Sequence, residues 1–277
     1  MQLIKTNPVT PSQRNFIKLV HSNLSKKPLI KNKVKGAKTL SGRNSLGRIT
    51  VRHRGGGHKK KKRSLNFNRD LNSSGIILNI EYDPGRNSLI SAVYDYKNRK
   101  YYYILLPSNL YPGNIIKSGL NLEPRAGYCM PISKIPVGSI IHNISSKKNQ
   151  RSKFTRAAGT YSRIIEKNNN SARIQLSSGQ QKFISLNCLA TLGSVSNENF
   201  FLTTIGKAGR SRWLNKRPEV RGVAMNPVDH PHGGGEGKTS GGKIQLTPWG
   251  KPTKNKPTKK KTVNNFSSTS ILHSYNE

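Results

Sequence analysis

Acidic residues are scarce in this chain: 11 Asp+Glu stand against 49 Lys+Arg, and none precedes Asp70. The formal charge of +38 argues against an enzyme for small anions, which needs a few cations rather than dozens. It calls for a polyanionic partner, either nucleic acid or an anionic membrane surface. Cysteine is nearly absent. Cys129 and Cys188 lie far apart with no C-x-x-C, which excludes a disulfide scaffold and suits a reducing compartment. Long apolar runs are missing too. None approaches the ~18 residues of a membrane-spanning helix, and Met1-Gln2-Leu3-Ile4-Lys5 has no apolar signal core. With 32% hydrophobic and 7% aromatic residues, one core for all 277 residues is not expected. Compact modules with long polar extensions are.

What charge there is lies unevenly. Residues 1–69 carry 19 Lys+Arg and no acid, residues 70–205 a net +9, and residues 206–261 a net +11. The last sixteen residues hold Glu277 and no Lys or Arg. This reads as a globular body that grips a polyanion with two basic arms.

The middle carries strand signals. Ile76–Tyr82 meets the turn Asp83-Pro84-Gly85-Arg86-Asn87; Ser88–Tyr96 follows, then Lys97-Asn98-Arg99, then Tyr101–Leu106 and Asn114–Lys117. After a break at Glu123–Gly127, a second set comprises Ser139–Ile144, Thr160–Ile165, Ala172–Leu176 and Gln180–Ser185, with a hairpin signal at Glu166–Ser171. Strands this short and evenly spaced predict two successive small β-barrels. One short helix is expected near Lys207–Trp213, and no packed core from Arg217 onward.

Two motifs stand out. The first runs from Arg48 to Arg63 through Arg54-Gly55-Gly56-Gly57-His58 and Lys59-Lys60-Lys61-Lys62. Glycines let a backbone approach phosphate closely, and the flanking cations neutralise it. A solvated basic run or a localisation signal is the alternative. The second is Asn226-Pro227-Val228-Asp229-His230-Pro231-His232-Gly233-Gly234-Gly235-Glu236-Gly237-Lys238. A metal site would need three or four converging ligands. A nucleophile–base pair would need a Ser or Cys at a recognisable elbow, and none is present. A rigid glycine-rich loop set against folded RNA fits the surrounding charge best. Gly206–Trp213 lacks P-loop order. Tyr101-Tyr102-Tyr103 is expected to be half core and half surface, with a base-stacking platform as the alternative, and both cysteines are expected to be inert small apolar residues. A membrane-binding module would need an amphipathic helix, and no such pattern is present.

At this point the residues carry a close resemblance. Asn226–Gly237 resembles the signature of the bacterial-type large-subunit ribosomal protein two family, the universal L-two family. Gly42-Arg43-Asn44, Gly47–Thr50 and Arg52–Lys59 are similar to its N-terminal RNA-binding stretch. Glu81–Pro84, Ile135–Gly138, Ala157–Thr160, Ala190–Gly193, Arg217-Pro218, Val220–Gly222 and Thr247–Gly250 fall in family order, so the likeness covers roughly residues 8–260.

The resemblance implies a mainly β fold: an OB-like barrel followed by an SH3-like barrel, with long basic N- and C-terminal extensions. Expected boundaries are 1–41 for the basic arm, 42–122 and 123–205 for the barrels, and 206–277 for the C-terminal extension and tail. It implies large-subunit rRNA as ligand, with other large-subunit proteins and the small subunit as neighbours and no membrane. Expected RNA contacts are Arg43, Arg48, Arg52, His53, Arg54, Gly55, Gly56, Gly57, His58, Lys59, Lys60, Lys61, Lys62 and Arg63. Later in the chain they are Lys207, Arg210, Arg212, Trp213, Arg217, Arg221, Asn226, Lys238 and Trp249. His230 and His232 are expected to support the peptidyl-transferase centre, His230 matching the family residue tied to that activity. No catalytic residue, metal or cofactor is expected, because RNA carries out the chemistry.

Two departures mark this chain. The family's Gly-Lys-Gly-Gly-Gln loop is replaced within Ser145–Arg156, so contact there must differ or be built from cations. Thr262–Glu277 lacks the family's basic tail. Similarity starting by Pro8 leaves no room for a transit sequence, and a Lys, Asn and Ile bias suits an AT-rich genome. The expected location is a mitochondrial ribosome in the matrix, with a plastid or bacterial ribosome as the alternative.

Overall fold

The structure, a computed structural model, describes residues 2–37, 39–69, 72–237, 239, 242 and 244–254. Lys238 and the tail 262–277 lie outside the described residues. The chain divides into two compact units, one drawn from 1–38 and 59–210 and the other from 39–58 and 211–265.

The first unit is mainly β. It opens with β1 (Gln2–Lys5) antiparallel to β2 (Ile17–Val20), then β3 (Leu24–Ser25), β4 (Val34–Ala37) and β5 (Lys60–Arg63). The first barrel strands are β6 (Ser73–Glu81), β7 (Ile90–Asp95), β8 (Lys100–Leu105) and β9 (Ile115–Ser118). The second set is β10 (Cys129–Pro131), β11 (Ile140–His142), β12 (Ile144–Ser145), β13 (Ser152–Phe154), β14 (Ser162–Lys167), β15 (Ser171–Gln175), β16 (Gln181–Ser185) and β17 (Leu189–Leu192). The predicted strands and the hairpin at 166–171 are all present. So is the helix, α1 (Ala208–Trp213).

Turn chemistry shows why the strands end where they do. Asp83 accepts the Gly85 N–H at 2.9 Å and pairs with Arg86 at 2.6 Å, closing the turn after β6. Asp95 accepts the Lys97 and Asn98 N–H groups at 3.1 and 3.2 Å, closing the β7–β8 hairpin. The apolar faces form two main cores and a smaller cluster of Ile90, Ala92 and Tyr103. Ile77, Val93, Ile104 and Ile116 lead the first; Met130, Ile141, Ile164, Ile174 and Cys188 lead the second. Both cysteines are buried, and burial pushes their thiols up, which fits the inert role expected of them.

One eleven-stranded sheet runs through both sets, in the order β16-β15-β14-β11-β17-β10-β9-β6-β7-β8, with β3 parallel to β6. The join is a single parallel pairing, Ser118 with Cys129. Arg69 reinforces it from a buried position, donating to Ser118 Oγ at 3.1 Å, the Lys117 carbonyl at 3.3 Å and the Gly127 carbonyl at 3.1 Å. His142 is fully buried beside it, and its Nδ1–H donates to the Gly193 carbonyl at 2.7 Å.

The start of the basic arm is better ordered than its charge suggests. Glu81, the first described acid of the chain, is buried under it. Its carboxylate accepts the Leu29 N–H at 2.8 Å and the Tyr103 hydroxyl at 3.0 Å, and lies 3.7 Å from Arg63 Nε. The Ile30 N–H donates to the same hydroxyl at 3.0 Å. Burial, opposed in part by that backbone bond, pushes the Tyr103 phenol up to about 12. A single buried carboxylate, satisfied by the Leu29 N–H and the Tyr103 hydroxyl, anchors this part of the arm. Glu81→Gln keeps an acceptor but removes the charge, and should cost about 1–2 kcal/mol. Urea denaturation of the whole chain would measure the loss.

Candidate nucleic-acid interface

The basic run from Lys59 to Arg63 folds in the first unit. Lys60–Arg63 pairs antiparallel with Val34–Ala37, so the cations stand on a strand rather than in a loose coil. Lys61 and Lys62 are exposed, while Arg63 turns in toward Glu81. Arg210 lies 3.6 Å above the Phe16 ring and donates to the Ile205 carbonyl at 2.8 Å. Lys207 belongs to this unit as well.

Three arginines absent from the expected contacts meet in the same unit. Arg86, Arg151 and Arg156 surround Phe67, with guanidinium carbons 5.4, 4.4 and 4.8 Å from the ring centroid. Burial, then the charges of Arg151 and Arg86, lower the Arg156 pKa. Asp83 neutralises Arg86 alone. Three like charges gathered over one ring in this way form an anion-seeking cluster. The residues come from three distant segments, so no local motif reveals them. The one signal was the cation-rich replacement of a glycine loop at 145–156.

The second unit collects the remaining expected contacts. Its first element is a closed turn. Asn44 Oδ1 accepts the Leu46 and Arg48 N–H groups at 3.0 and 2.9 Å, and the Thr50 and Val51 N–H groups donate to the Gly42 carbonyl at 2.9 and 3.0 Å. Arg43 and Arg48 are left exposed.

The segment 53–58 is then joined to 212–218. The Gly55 N–H donates to Asn215, the His58 N–H to Trp213 and the Arg217 N–H to His53, at 3.2, 3.0 and 3.0 Å. His53 Nδ1–H donates to the Pro218 carbonyl at 2.9 Å, and Arg212 Nη1 to the Gly55 carbonyl at 3.2 Å. The glycines serve this join. A Cβ on Gly57 would lie 2.7 Å from the Asn215 backbone nitrogen, and Gly56 takes a φ of +68°. Close approach was expected toward phosphate; the approach seen is to the chain's own backbone.

The loop 222–235 closes around His230, which is 7% exposed. The His230 N–H donates to the Asn226 carbonyl at 3.3 Å, and the Gly233 N–H to the His230 carbonyl at 2.8 Å. His230 Nδ1 accepts the His232 N–H at 3.0 Å. His232 Nε2 accepts the Leu246 N–H at 3.0 Å. Gly222 lies flat against the His230 ring, where a Cβ would be 2.5 Å from Cε1. Among the described residues of this unit no hydrophobic side chain is buried, in line with the absent core expected from Arg217 onward, yet hydrogen bonds give the loop a definite shape.

Beside it, a cleft of about 490 Å³ is lined by Arg52, His53, Arg221, Gly222, Met225, His230 and Trp249 among others. Arg52 stands 6.0 Å over the Trp249 ring, which is 71% exposed. Arg54, Arg217 and Asn226 are exposed too. Ion pairs among the described residues are Arg63–Glu81, Arg86–Asp83, Arg125–Glu123 and Arg173–Glu166, so none neutralises an arginine of this unit. Among the described residues no three His, Cys, Asp or Glu side chains converge as metal ligands.

The first segment of this unit precedes the barrels in sequence and the second follows them. A family model described as "Ribosomal Proteins L2, RNA binding N-terminal domain" matches residues 27–118, and one described as "Ribosomal Proteins L2, C-terminal domain" matches residues 125–250. The chain belongs to the ribosomal protein L2 family. "Large ribosomal subunit protein uL2" of Wolbachia sp. subsp. Brugia malayi is 47% identical over 261 residues, covering 94% of each chain. That of Parvibaculum lavamentivorans is 45% identical over 260 residues, 94% of this chain and 93% of its own. That of Rickettsia akari is 46% identical over 261 residues, 94% of this chain and 95% of its own. Membership agrees with the resemblance carried by Asn226–Gly237 and the other motifs in order along the chain.

Proposed function

We propose that this chain is a structural, non-catalytic constituent of the large ribosomal subunit that binds its rRNA and supports assembly of the peptidyl-transferase centre. The observation that carries this is the second unit. Two distant segments fold together and present arginines that form no ion pair among the described residues, with Glu219 the one acid lining their cleft. Phosphate is the ligand such a surface lacks. The family match supports the same reading. The buried His230, held by backbone bonds and the Gly222 contact, fits a group that shapes a loop.

In this reading the arginines over Phe67 and the Lys61–Lys62 strand give further phosphate contacts. Neighbours are other large-subunit proteins and, across the interface, the small subunit. No helix among the described residues is long and apolar enough to cross a membrane. The compared relatives are bacterial, which supports a ribosome of bacterial type. Between the two organelles, the replaced loop at 145–156 favours a mitochondrial over a plastid ribosome, and sedimentation of mitochondrial ribosomes from the source cell tests it.

Replacing Arg43, Arg48, Arg54 and Arg221 by Ala should weaken binding to large-subunit rRNA and reduce its salt dependence. Each lost phosphate contact removes on the order of 0.7–0.9 from the slope of log K against log salt. Filter binding across a salt series measures it. An unchanged slope would remove this surface from the interface.

A further inference from the structure

The outer face of the first barrel carries a row of four cross-strand neighbours that the described residues leave partly uncovered. Ile115 of β9 pairs with Ile76 of β6, Ile76 with Tyr94 of β7, and Tyr94 with Tyr101 of β8. Directly paired residues share a face, so the four side chains stand in one line. Ile115 is 48% and Tyr101 51% exposed, and the two tyrosine rings lie 4.8 Å apart at 36°. Further along β7 and β8 the same face is closed: Ile30 and Leu65 pack over Ile90, Ala92 and Tyr103. The arm thus covers one half of the face and stops short of the other.

The surroundings of the open half say what fits it. Lys117 follows Ile115 on the same face, and Lys97, Arg99 and Lys100 are exposed in the adjoining hairpin turn. Asp95, the nearby acid, is buried, and its carboxylate is bound to the Lys97 and Asn98 N–H groups and the Asn98 amide. An aromatic surface ringed by cations, with its acid turned inward, suits a base with its phosphates. Among the described residues, a protein segment would find no exposed carboxylate in this turn for its own cations.

We infer that Tyr94 and Tyr101 form a stacking platform for unpaired nucleotides of the large-subunit rRNA, with Lys117 and the turn cations holding the flanking phosphates. The inference rests on the rRNA-binding reading above and adds a second mode of contact to it, one that recognises bases. The alternative weighed for Tyr101-Tyr102-Tyr103 is thereby reinstated for Tyr101, while Tyr103 remains core.

Ultraviolet crosslinking of the full chain bound to large-subunit rRNA, followed by mass spectrometry, tests it. A nucleotide attached to Tyr94 or Tyr101 is the expected result. Tyr101→Ala should weaken binding about tenfold without altering the salt slope, because stacking displaces no counterions. Tyr101→Trp should retain affinity. Nucleotides found only on peptides from 39–63 or 211–254 would overturn the platform and leave the rRNA-binding reading intact. A crosslink from Tyr101 to a neighbouring protein would also overturn it. No nucleotide anywhere on the chain would overturn both.

Discussion

Gly233→Ala should open the loop that holds His230 and yield large subunits with little or no peptide-bond formation. The added Cβ would lie 2.2 Å from the Asn226 carbonyl oxygen and 2.7 Å from that of Met225. Both are backbone atoms, so no side chain can swing away. Asn226 also accepts the Asp229 and His230 N–H groups, and Met225 the Gly234 N–H. Moving either carbonyl breaks those bonds and releases His230 from Gly222. A Cβ forced into backbone commonly costs more than the ~1 kcal/mol of an exposed glycine replacement. Gly237→Ala is the control. Its φ of +64° makes alanine strained, but nothing lies within 4 Å of the new Cβ. Reconstituted subunits carrying each variant should therefore differ: near-complete loss for Gly233→Ala, and most of the activity for Gly237→Ala. Equal activity in both would mean that the closed loop has no part in assembly of the centre.

The second large effect concerns pH. Burial, with the nearby Arg69 charge adding to it, lowers the His142 imidazole to about 4 from 6.5. The bond to Gly193 opposes this without reversing it. The folded state therefore holds His142 neutral while the unfolded chain takes up a proton below pH ~6.5. Stability is complete above that pH and falls as pH drops toward about 4, where the folded state also protonates. Full expression of the shift is worth about 3 kcal/mol at 1.36 kcal/mol per pKa unit. His142→Asn keeps a donor for the Gly193 carbonyl but cannot titrate. Urea denaturation from pH 7 to 4 should show wild type losing about 3 kcal/mol more than His142→Asn. Parallel curves would show that the ring is hydrated in the folded state.

These features differ in how far the sequence exposes them. The barrel strands at 76–82, 88–96 and 101–106 were legible because β-branched and aromatic runs end in turns at Asp83 and Asp95 and at Pro107. Residue type and local order suffice for that. Lys60–Arg63 carries no apolar alternation, so only its backbone pairing with Val34–Ala37 makes it a strand. Cys129–Pro131 and Leu189–Leu192 are short and buried, held by neighbours rather than by propensity. The RNA-facing motifs were legible as charge and glycine, but their purpose was only half read. Gly57, Gly222 and Gly233 make room for Asn215, His230 and Asn226, and that need is visible only when distant segments meet. The arginines around Phe67 illustrate the same limit. Each is unremarkable in its own segment, and their joint charge exists only in the fold.

The join between residues 53–58 and 212–218 also has a consequence for timing. His53 and Pro218, which share a hydrogen bond, are 165 residues apart in the chain. On the ribosome that makes this protein, the first half of the interface emerges long before its partner. At about 5–20 residues per second, the wait is roughly 8–33 s. During that interval the segment 39–58 is a tether of exposed arginines without its shaped surface, while the barrels have all the sequence they need to fold. The second unit is thus completed only after the barrels have been made. A nascent chain truncated before Arg212 would carry most of the charge but not the second unit. The join therefore forms only after residues 212–218 have been made, well after the barrel sequence is complete.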